Sequence, residues 1–428
     1  MNKQERNHDM TKTAIRCGVV AVIVAVAAGN APGEPGEGLH AGGDVLVRPF
    51  ADVAISYDSN PLLFAIGNEM DDFFLNVSPG LSLTRDGEVL RMEGLFWGRF
   101  RRFEEFTSED SDDVSEELRL ELGRREDWRL RAHERFGRVS DYDLSVRTMD
   151  VAAEGAGGRY LERVNAVPLS VMERSERVDR SILDCGIGWG GPLTDKMSLD
   201  MVCDYGKIDY LSADLLDSTE AKASVKAARR LTDKGSAILV AEYIRMENNS
   251  LADPAHYYAA RAGWRWQGTF KSRFEGSAGY FRLSDSDPSL DDTFTRDGFS
   301  YDAAWFWQAR PKLSVALGGR SEMQLAPDTP QDTKLVNMIT GSGCYAATER
   351  LSLALLVGYR HEDYLREGEM AGAPVTRVVE QLHGRLHCDY QLRKWLKAYG
   401  EVWSEDTQDN VRGDYKETRA TLGMKAEY

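Results

Sequence analysis

His383, His387 and Asp389 fall on one face of an alternating segment, and they are the first place to look for chemistry in this 428-residue chain. Four residues of extended chain hold the two histidines roughly 13 Å apart at ~3.3 Å per residue, too far to share one metal ion. His387 and Asp389, two positions apart, read as polar lining. The run Gly186-Ile187-Gly188-Trp189-Gly190-Gly191 reads as a strand end and turn, not a phosphate cradle, and no nucleophile elbow, P-loop or zinc spacing occurs. A membrane hydrolase would need Ser and His within ~3 Å of each other on an outward rim, and by phase His387 points the other way. The expectation is therefore no catalytic set, no metal site and no cofactor.

Charge is the richer signal. Arg91, Glu93, Arg99 and Arg101 alternate along one segment; Glu117, Arg119 and Glu121 along the next; Arg129, Arg131, His133 and Arg135 along a third. If the three segments are neighbours in a sheet, Arg and Glu on one face pair across the ladder and rigidify the wall. Arginines left over would form a positive stripe able to hold carboxylates or acidic sugars in bidentate fashion. The paired wall is the preferred reading, because many of these charges have neighbours to pair with.

The elements that must carry those residues are strands. The last eleven residues put Ala420, Leu422, Met424, Ala426 and Tyr428 on one face and Arg419, Thr421, Gly423, Lys425 and Glu427 on the other. Apolar on one side, polar on the other and ending on an aromatic, this is how an outer-membrane barrel closes. From Asp44 onward the pattern recurs over 45–57, 72–84, 89–103, 114–124, 128–136, 177–189, 198–210, 220–231, 236–246, 257–266, 272–283, 296–307, 312–323, 334–346, 351–363, 377–391, 395–404 and 416–428. Short turns such as Arg85-Asp86-Gly87 and Thr232-Asp233-Lys234-Gly235 alternate with longer polar loops. That asymmetry separates periplasmic turns from extracellular loops. The predicted fold is all-β: a single closed antiparallel transmembrane β-barrel of about eighteen strands, an up-and-down meander over 44–428. Such a ring is wide enough for an aqueous channel instead of a side-chain core.

Outward sets include Leu75/Val77/Leu81/Leu83 and Phe299/Tyr301/Ala303/Trp305/Trp307. Outward aromatics at strand ends predict two girdles: Trp128, Trp189, Trp266, Trp307, Tyr390 and Tyr428 at the periplasmic level, and Tyr57, Phe100, Tyr205, Tyr280 and Tyr359 at the outer one. Cys185, Cys203, Cys344 and Cys388 are too few and scattered for a disulfide framework. Cys185 and Cys203 lie equally far from a turn near residue 194 and read as small lipid-facing residues. Loop 137–176 is far longer than the others and carries apolar residues, so it either folds into the lumen as a constriction or caps the mouth.

Composition agrees. The chain is 42% hydrophobic and 29% charged, with a mean hydropathy of −0.44. Its one continuous apolar run, Gly18–Ala28, is about half of what a helix needs to span ~30 Å of hydrocarbon. It follows Lys12 and Arg16 and precedes Gly29-Asn30-Ala31, as in a secretory signal peptide covering 1–31; a short periplasmic segment, 32–43, would follow. The formal net charge of −16 argues against nucleic acid as a partner, since that affinity comes from neutralising phosphates. Expected partners are outer-membrane lipid and, through the Tyr428 strand, the barrel-assembly machinery.

The first strand and its loop, Val47-Arg48-Pro49-Phe50-Ala51-Asp52-Val53-Ala54-Ile55-Ser56-Tyr57-Asp58-Ser59-Asn60-Pro61, with Ser78-Pro79-Gly80-Leu81 on the second strand, resemble the putative beta-barrel porin 2 family. The resemblance implies a bacterial outer-membrane barrel, often found beside exopolysaccharide synthesis and export systems. It carries over no functional residue.

Three functions follow as expectations. The first is a non-enzymatic channel passing or helping export a polar solute, with a polysaccharide favoured on the resemblance alone. The second is a structural or adhesion barrel using acidic outer loops such as Ser108-Glu109-Asp110-Ser111-Asp112-Asp113. The third and weakest is a membrane hydrolase.

Overall fold

The computed structural model describes residues 38–40, 44–60, 70–105, 110–123, 128–139, 180–210, 217–248, 254–269, 271–287, 292–325, 333–370, 373–411 and 413–427. The predicted signal segment 1–31, loop residues 140–176 and Tyr428 lie outside the described residues.

A two-residue strand β1 (Leu39–His40) precedes eighteen long ones. They are β2 (Val45–Asp58), β3 (Asp72–Asp86), β4 (Leu90–Phe103), β5 (Ser111–Leu122), β6 (Arg129–Val139), β7 (Arg180–Thr194), β8 (Met197–Tyr210), β9 (Ser218–Arg230) and β10 (Gly235–Asn248). The meander continues with β11 (Ala255–Thr269), β12 (Ser272–Asp287), β13 (Asp292–Arg310), β14 (Leu313–Leu325), β15 (Thr333–Ala346), β16 (Leu351–Met370), β17 (Ala373–Arg393), β18 (Leu396–Asp409) and β19 (Tyr415–Glu427). Each long strand pairs antiparallel with the next, and β19 returns to β2, with Leu422 opposite Ile55 and Met424 opposite Val53. The ring is closed. Where β19 stops, beside Phe50, β1 takes over the edge of β2, with Leu39 opposite Val47.

Alternation divides the faces as period two demands. Val53, Ile55, Leu75, Leu120, Leu239, Leu355, Leu382, Leu386 and Leu422 stand exposed on the outside. Such a belt would be a liability in water and is what hydrocarbon requires. Outward aromatics cluster on it: Trp128 stacks on Trp189 with ring centroids 4.0 Å apart, Trp305 on Trp307 at 5.9 Å, and Tyr57 packs on Phe73 at 5.3 Å.

The short turns share a device that alternation does not predict. A threonine hydroxyl accepts backbone N–H groups two or three residues on: Thr194 from Lys196 and Met197, Thr232 from Lys234, Thr269 from Lys271, Thr348 from Arg350 and Leu351. The hydroxyl satisfies donors that the ladder has released at the bend. It also accounts for the repeated Thr-x-Lys/Arg spelling of these turns. The β7–β8 turn centres on 195 and not 194, so Cys203 sits opposite Ile187 and Cys185 opposite Tyr205. Both cysteines are outward and unbridged.

At the long-loop end several strands outrun the predicted spans. Glu367 pairs with Thr376 and Gly368 with Val375 inside the expected 364–376 loop, and Asp285 pairs with Phe294 inside 284–295. Outside the bilayer neither face has to be apolar, so the ladder persists on backbone bonds without the alternation that would betray it.

Two irregularities reshape the lumen. Gly263 on β11 and Gly279 on β12 face inward where the wall turns a sharp corner. A Cβ on Gly279 would lie 1.9 Å from the Ala260 carbonyl oxygen, and one on Gly263 2.0 Å from that of Gly276. Only glycine permits that approach. Beyond the corner, β13 and β14 pair only from Arg310/Leu313 to Asp302/Arg320. Past that point β13 stays with β12, while β14 stays with β15 and turns inside the barrel. Its Met323, with Leu335 of β15 beside it, packs on Ile244, Met246, Tyr257, Phe281 and Leu283 from the inner face of β10–β12. β14 comes within 8 Å of β10 between Cα atoms although three strands separate them in the wall. The expectation of an aqueous lumen without a side-chain core is therefore corrected at the loop end. The ring laps over itself there and makes a small apolar core, each fully buried Leu, Ile or Met contributing roughly 1.5–3 kcal/mol.

The corner gives a direct test. Gly279→Val should lower the folded fraction seen by heat-dependent gel mobility, by overpacking of about 1–3 kcal/mol. Gly206→Ala, on an inward position with nothing within 4 Å of the added Cβ, should leave mobility unchanged. Equal behaviour of the two would contradict the corner.

Candidate functional site

The inward face is charged along its whole length, and its two ends differ. Toward the short turns the side chains stay wet: Arg129, Arg131 and His133 are 32%, 36% and 36% exposed. Toward the long loops they are closed off: Asp58, Asp113, Lys334 and Arg360 are at most 1% exposed. The interior is thus an open vestibule at the turn end and a packed polar layer at the loop end.

The sequence-predicted charge group spans both zones. Arg91 donates to Asp86 at 3.1 Å and to Glu121 at 3.4 Å, and Glu121 also accepts from Arg129 at 3.3 Å. Arg131 reaches across to Asp200 at 3.1 Å. His133 lies 3.8 Å from Asp184 and 4.0 Å from Asp204. Arg119 pairs with Glu117 on its own strand and stands opposite Glu93 and His133 in the ladder. Arg135 is opposite Glu117 and Asp184. These residues line the vestibule. Arg99 instead lies in the packed layer, clamped by two bonds of 3.0 and 2.9 Å to Asp113, and Arg101 packs over the Phe74 ring, 5.0 Å from its centroid.

Three further groups share that interior beyond those predicted from sequence. Glu242 on β10 accepts from Lys222 at 3.1 Å and Arg261 at 2.7 Å, and Arg261 also donates to Ser300 at 2.9 Å. Lys226 and Arg265 share Glu275. Around β15–β19, Lys334 and Arg360 hold Glu362, Arg377 holds Asp409, and Glu405 takes bonds from Gln381 and Tyr415. The alternate spacing Lys222/Lys226 and Arg261/Arg265 is a visible signal, but the alanines between them spell only a weak strand. His387 is held between Asp389 at 3.0 Å and Glu401 at 2.9 Å, with Tyr399 stacked on it. His383 is buried one inward step beyond Arg385 on the same strand, toward the loop end.

One concavity belongs to the other side of the wall. A groove of about 690 Å³ is lined mostly by outward residues, among them Ala223, Val225, Ala241, Tyr258, Ala260 and Tyr280, with the inward-pointing Glu242, Ala259 and Phe281 also at its wall. Small alanines between tyrosines make it, and it opens to the lipid side.

The β2–β19 seam is tied from inside. Arg419 donates to Asp58 at 3.0 Å and to Glu417 at 2.9 Å, and its guanidinium lies over Trp403 and Phe74. Breaking a buried pair by removing one partner costs about 3–5 kcal/mol. Arg419→Ala should therefore lower the unfolding midpoint in urea clearly. Lys416→Ala, whose pair with Asp406 is largely exposed, should shift it by less than about 1 kcal/mol. Equal shifts would show that the seam pair carries no particular load.

No curated protein matches the chain. Among solved structures, the chain is similar to Pseudomonas aeruginosa OpdK with vanillate, at 8% identity and a TM-score of 0.47, over 89% of this chain and 99% of that one. It is similar to Acinetobacter baumannii OccAB4 at 10% identity and a TM-score of 0.44, over 92% and 100%. It is also similar to the FrpB iron transporter of Neisseria meningitidis at 9% identity and a TM-score of 0.45, over 91% and 82%. The family model described as Putative beta-barrel porin 2 matches residues 245–428, from the end of β10 through β19. The first-strand and Ser78-Pro79-Gly80-Leu81 motifs lie outside that match. With a closed ring, an apolar belt and nine whole strands, β11–β19, in that match, the chain is an outer-membrane β-barrel that carries, over residues 245–428, the pattern of the Putative beta-barrel porin 2 family.

Proposed function

We propose that the barrel is a channel for a polar solute, which enters or leaves through the charged vestibule at the short-turn, periplasmic end. The observation that carries this reading is the wet, charged inner face there, set against an apolar outer belt. Side chains that stay hydrated there are free to meet a solute in the lumen, which an anchor has no use for. In this reading Arg91, Glu93, Arg119, Glu121, Arg129, Arg131, His133 and Arg135 set the selectivity of the vestibule. Mixed arginines and carboxylates, with Tyr399 and Trp403 on the inner face, suit a hydroxyl-rich or acidic carbohydrate. A polysaccharide is the cargo that the family resemblance favours.

The packed layer at the loop end supports a second reading, a structural or adhesion barrel that does not conduct. The two separate in planar bilayers. The channel reading expects conductance steps whose reversal potential in a salt gradient moves toward cation selectivity when Arg129, Arg131 and Arg135 are replaced by Ser. Absence of steps from folded protein under every condition would leave the adhesion reading.

A further inference from the structure

The outer end of β14 is spelled for a place it does not occupy. By the alternation of its own strand, Ser321 and Met323 belong on the lipid face and Glu322 and Gln324 on the lumen face; on β15, Leu335 belongs outside and Lys334 and Val336 inside. The register already set by Asp302 opposite Arg320 would, if continued, bring Tyr301 to Ser321 and Phe299 to Met323. Phe299 is outward and exposed, so that pairing would make an ordinary lipid-facing cross-strand pair. In the structure the continuation is not made. The Tyr301 amide donates instead to the Ser321 side-chain oxygen at 3.1 Å, and this marks the point where the two strands part. Met323 is fully buried against the inner wall of β10–β12.

We propose that residues 321–325 and 333–338 form a gate with two seats. In the inner seat, seen here, Met323 and Leu335 rest on the apolar patch made by Ile244, Met246, Tyr257 and Phe281 and close the loop end of the lumen. In the outer seat β14 zips onto β13 in the same register, Met323 and Leu335 face lipid, and the lumen clears. The same apolar side chains are satisfied in both places, by protein in one and by hydrocarbon in the other. The β13 edge from Arg296 to Tyr301, which has no strand partner on its β14 side among the described residues, gains a ladder in the outer seat. An unpaired edge in lipid is costly, and this is what drives the zipped form. Lys334 with Glu362 at 2.8 Å and Arg360 with Gln324 at 3.5 Å tie these strand ends to β16, so the end of β16 moves with them between the seats. This inference rests on the channel reading only for its consequence, not for the movement itself.

The movement is testable apart from transport. In a background with the five cysteines replaced by alanine, the pair Phe299→Cys and Met323→Cys should form a disulfide on oxidation of folded, membrane-embedded protein. The pair Met246→Cys and Met323→Cys should be captured by a short bismaleimide. Capture of both establishes two seats; failure of the Phe299/Met323 pair in protein that keeps its folded gel mobility overturns the proposal. In bilayers, the oxidised Phe299/Met323 variant should give steps about twofold or more larger than its reduced form, and the captured Met246/Met323 variant should lose them. Equal conductance in all forms would overturn the gating role. If the disulfide forms and no variant conducts, the channel reading fails while the two seats stand.

Discussion

Everything in this molecule follows from the need to pair every backbone N–H and C=O where no water can reach them. A sheet meets that need only by returning to its own first strand, and β19 does so against β2 over nine residues, from Arg419 opposite Asp58 to Glu427 opposite Phe50. Closure then dictates the two faces. The outside must be apolar to lie in lipid, and the inside becomes a place where charge is allowed. The Arg419–Asp58 pair, buried behind the seam, shows the two requirements meeting: backbone bonds close the ring and an ion pair pins it from within.

The interior resolves a conflict by dividing it lengthwise. Charges at the turn end remain hydrated, so their pairing costs little and their side chains stay free to meet a solute. Charges at the loop end are desolvated, and built pairs hold many of them: Arg99 with Asp113, Lys334 and Arg360 with Glu362, Arg377 with Asp409. Buried pairs of this kind are poor sources of stability but strong determinants of geometry once made, since removing one member strands the other. The charges fix how neighbouring strands of the packed layer sit against each other, and the apolar patch on β10–β12 receives the end of β14 in the arrangement seen here.

Legibility in the sequence follows the same physics. The eighteen spans are readable wherever a strand crosses hydrocarbon, because only there are both faces constrained; Leu422 and Met424 against Thr421 and Lys425 is the plain case. Readability fails at the loop end, where β16 extends to Met370 and β17 begins at Ala373 in a stretch whose sequence, Tyr364-Leu365-Arg366-Glu367-Gly368-Glu369-Met370, does not alternate between apolar and polar. The inward charges from Arg91 to Arg135 are legible because an arginine at every second position of a membrane strand can only face the aqueous interior. Lys222, Lys226 and Glu242 escape notice because alanines on the opposite face weaken the contrast. The inward turn of β14 cannot be read at all. Its residues keep the alternation of a wall strand, and only the distant side chains of Ile244, Tyr257 and Phe281 reveal where Met323 goes.

The most direct measurement is a covalent one across the seam. Ser56 and Thr421 face each other inside the barrel with their hydroxyl oxygens 2.8 Å apart. With the native cysteines removed, Ser56→Cys and Thr421→Cys should oxidise to an intramolecular disulfide in folded membrane material, leaving a product of distinct mobility after denaturation, and should not do so when the chain is first unfolded in urea. Folded protein that never forms this bond under oxidant, or forms it only between two chains, would contradict a ring closed within one polypeptide.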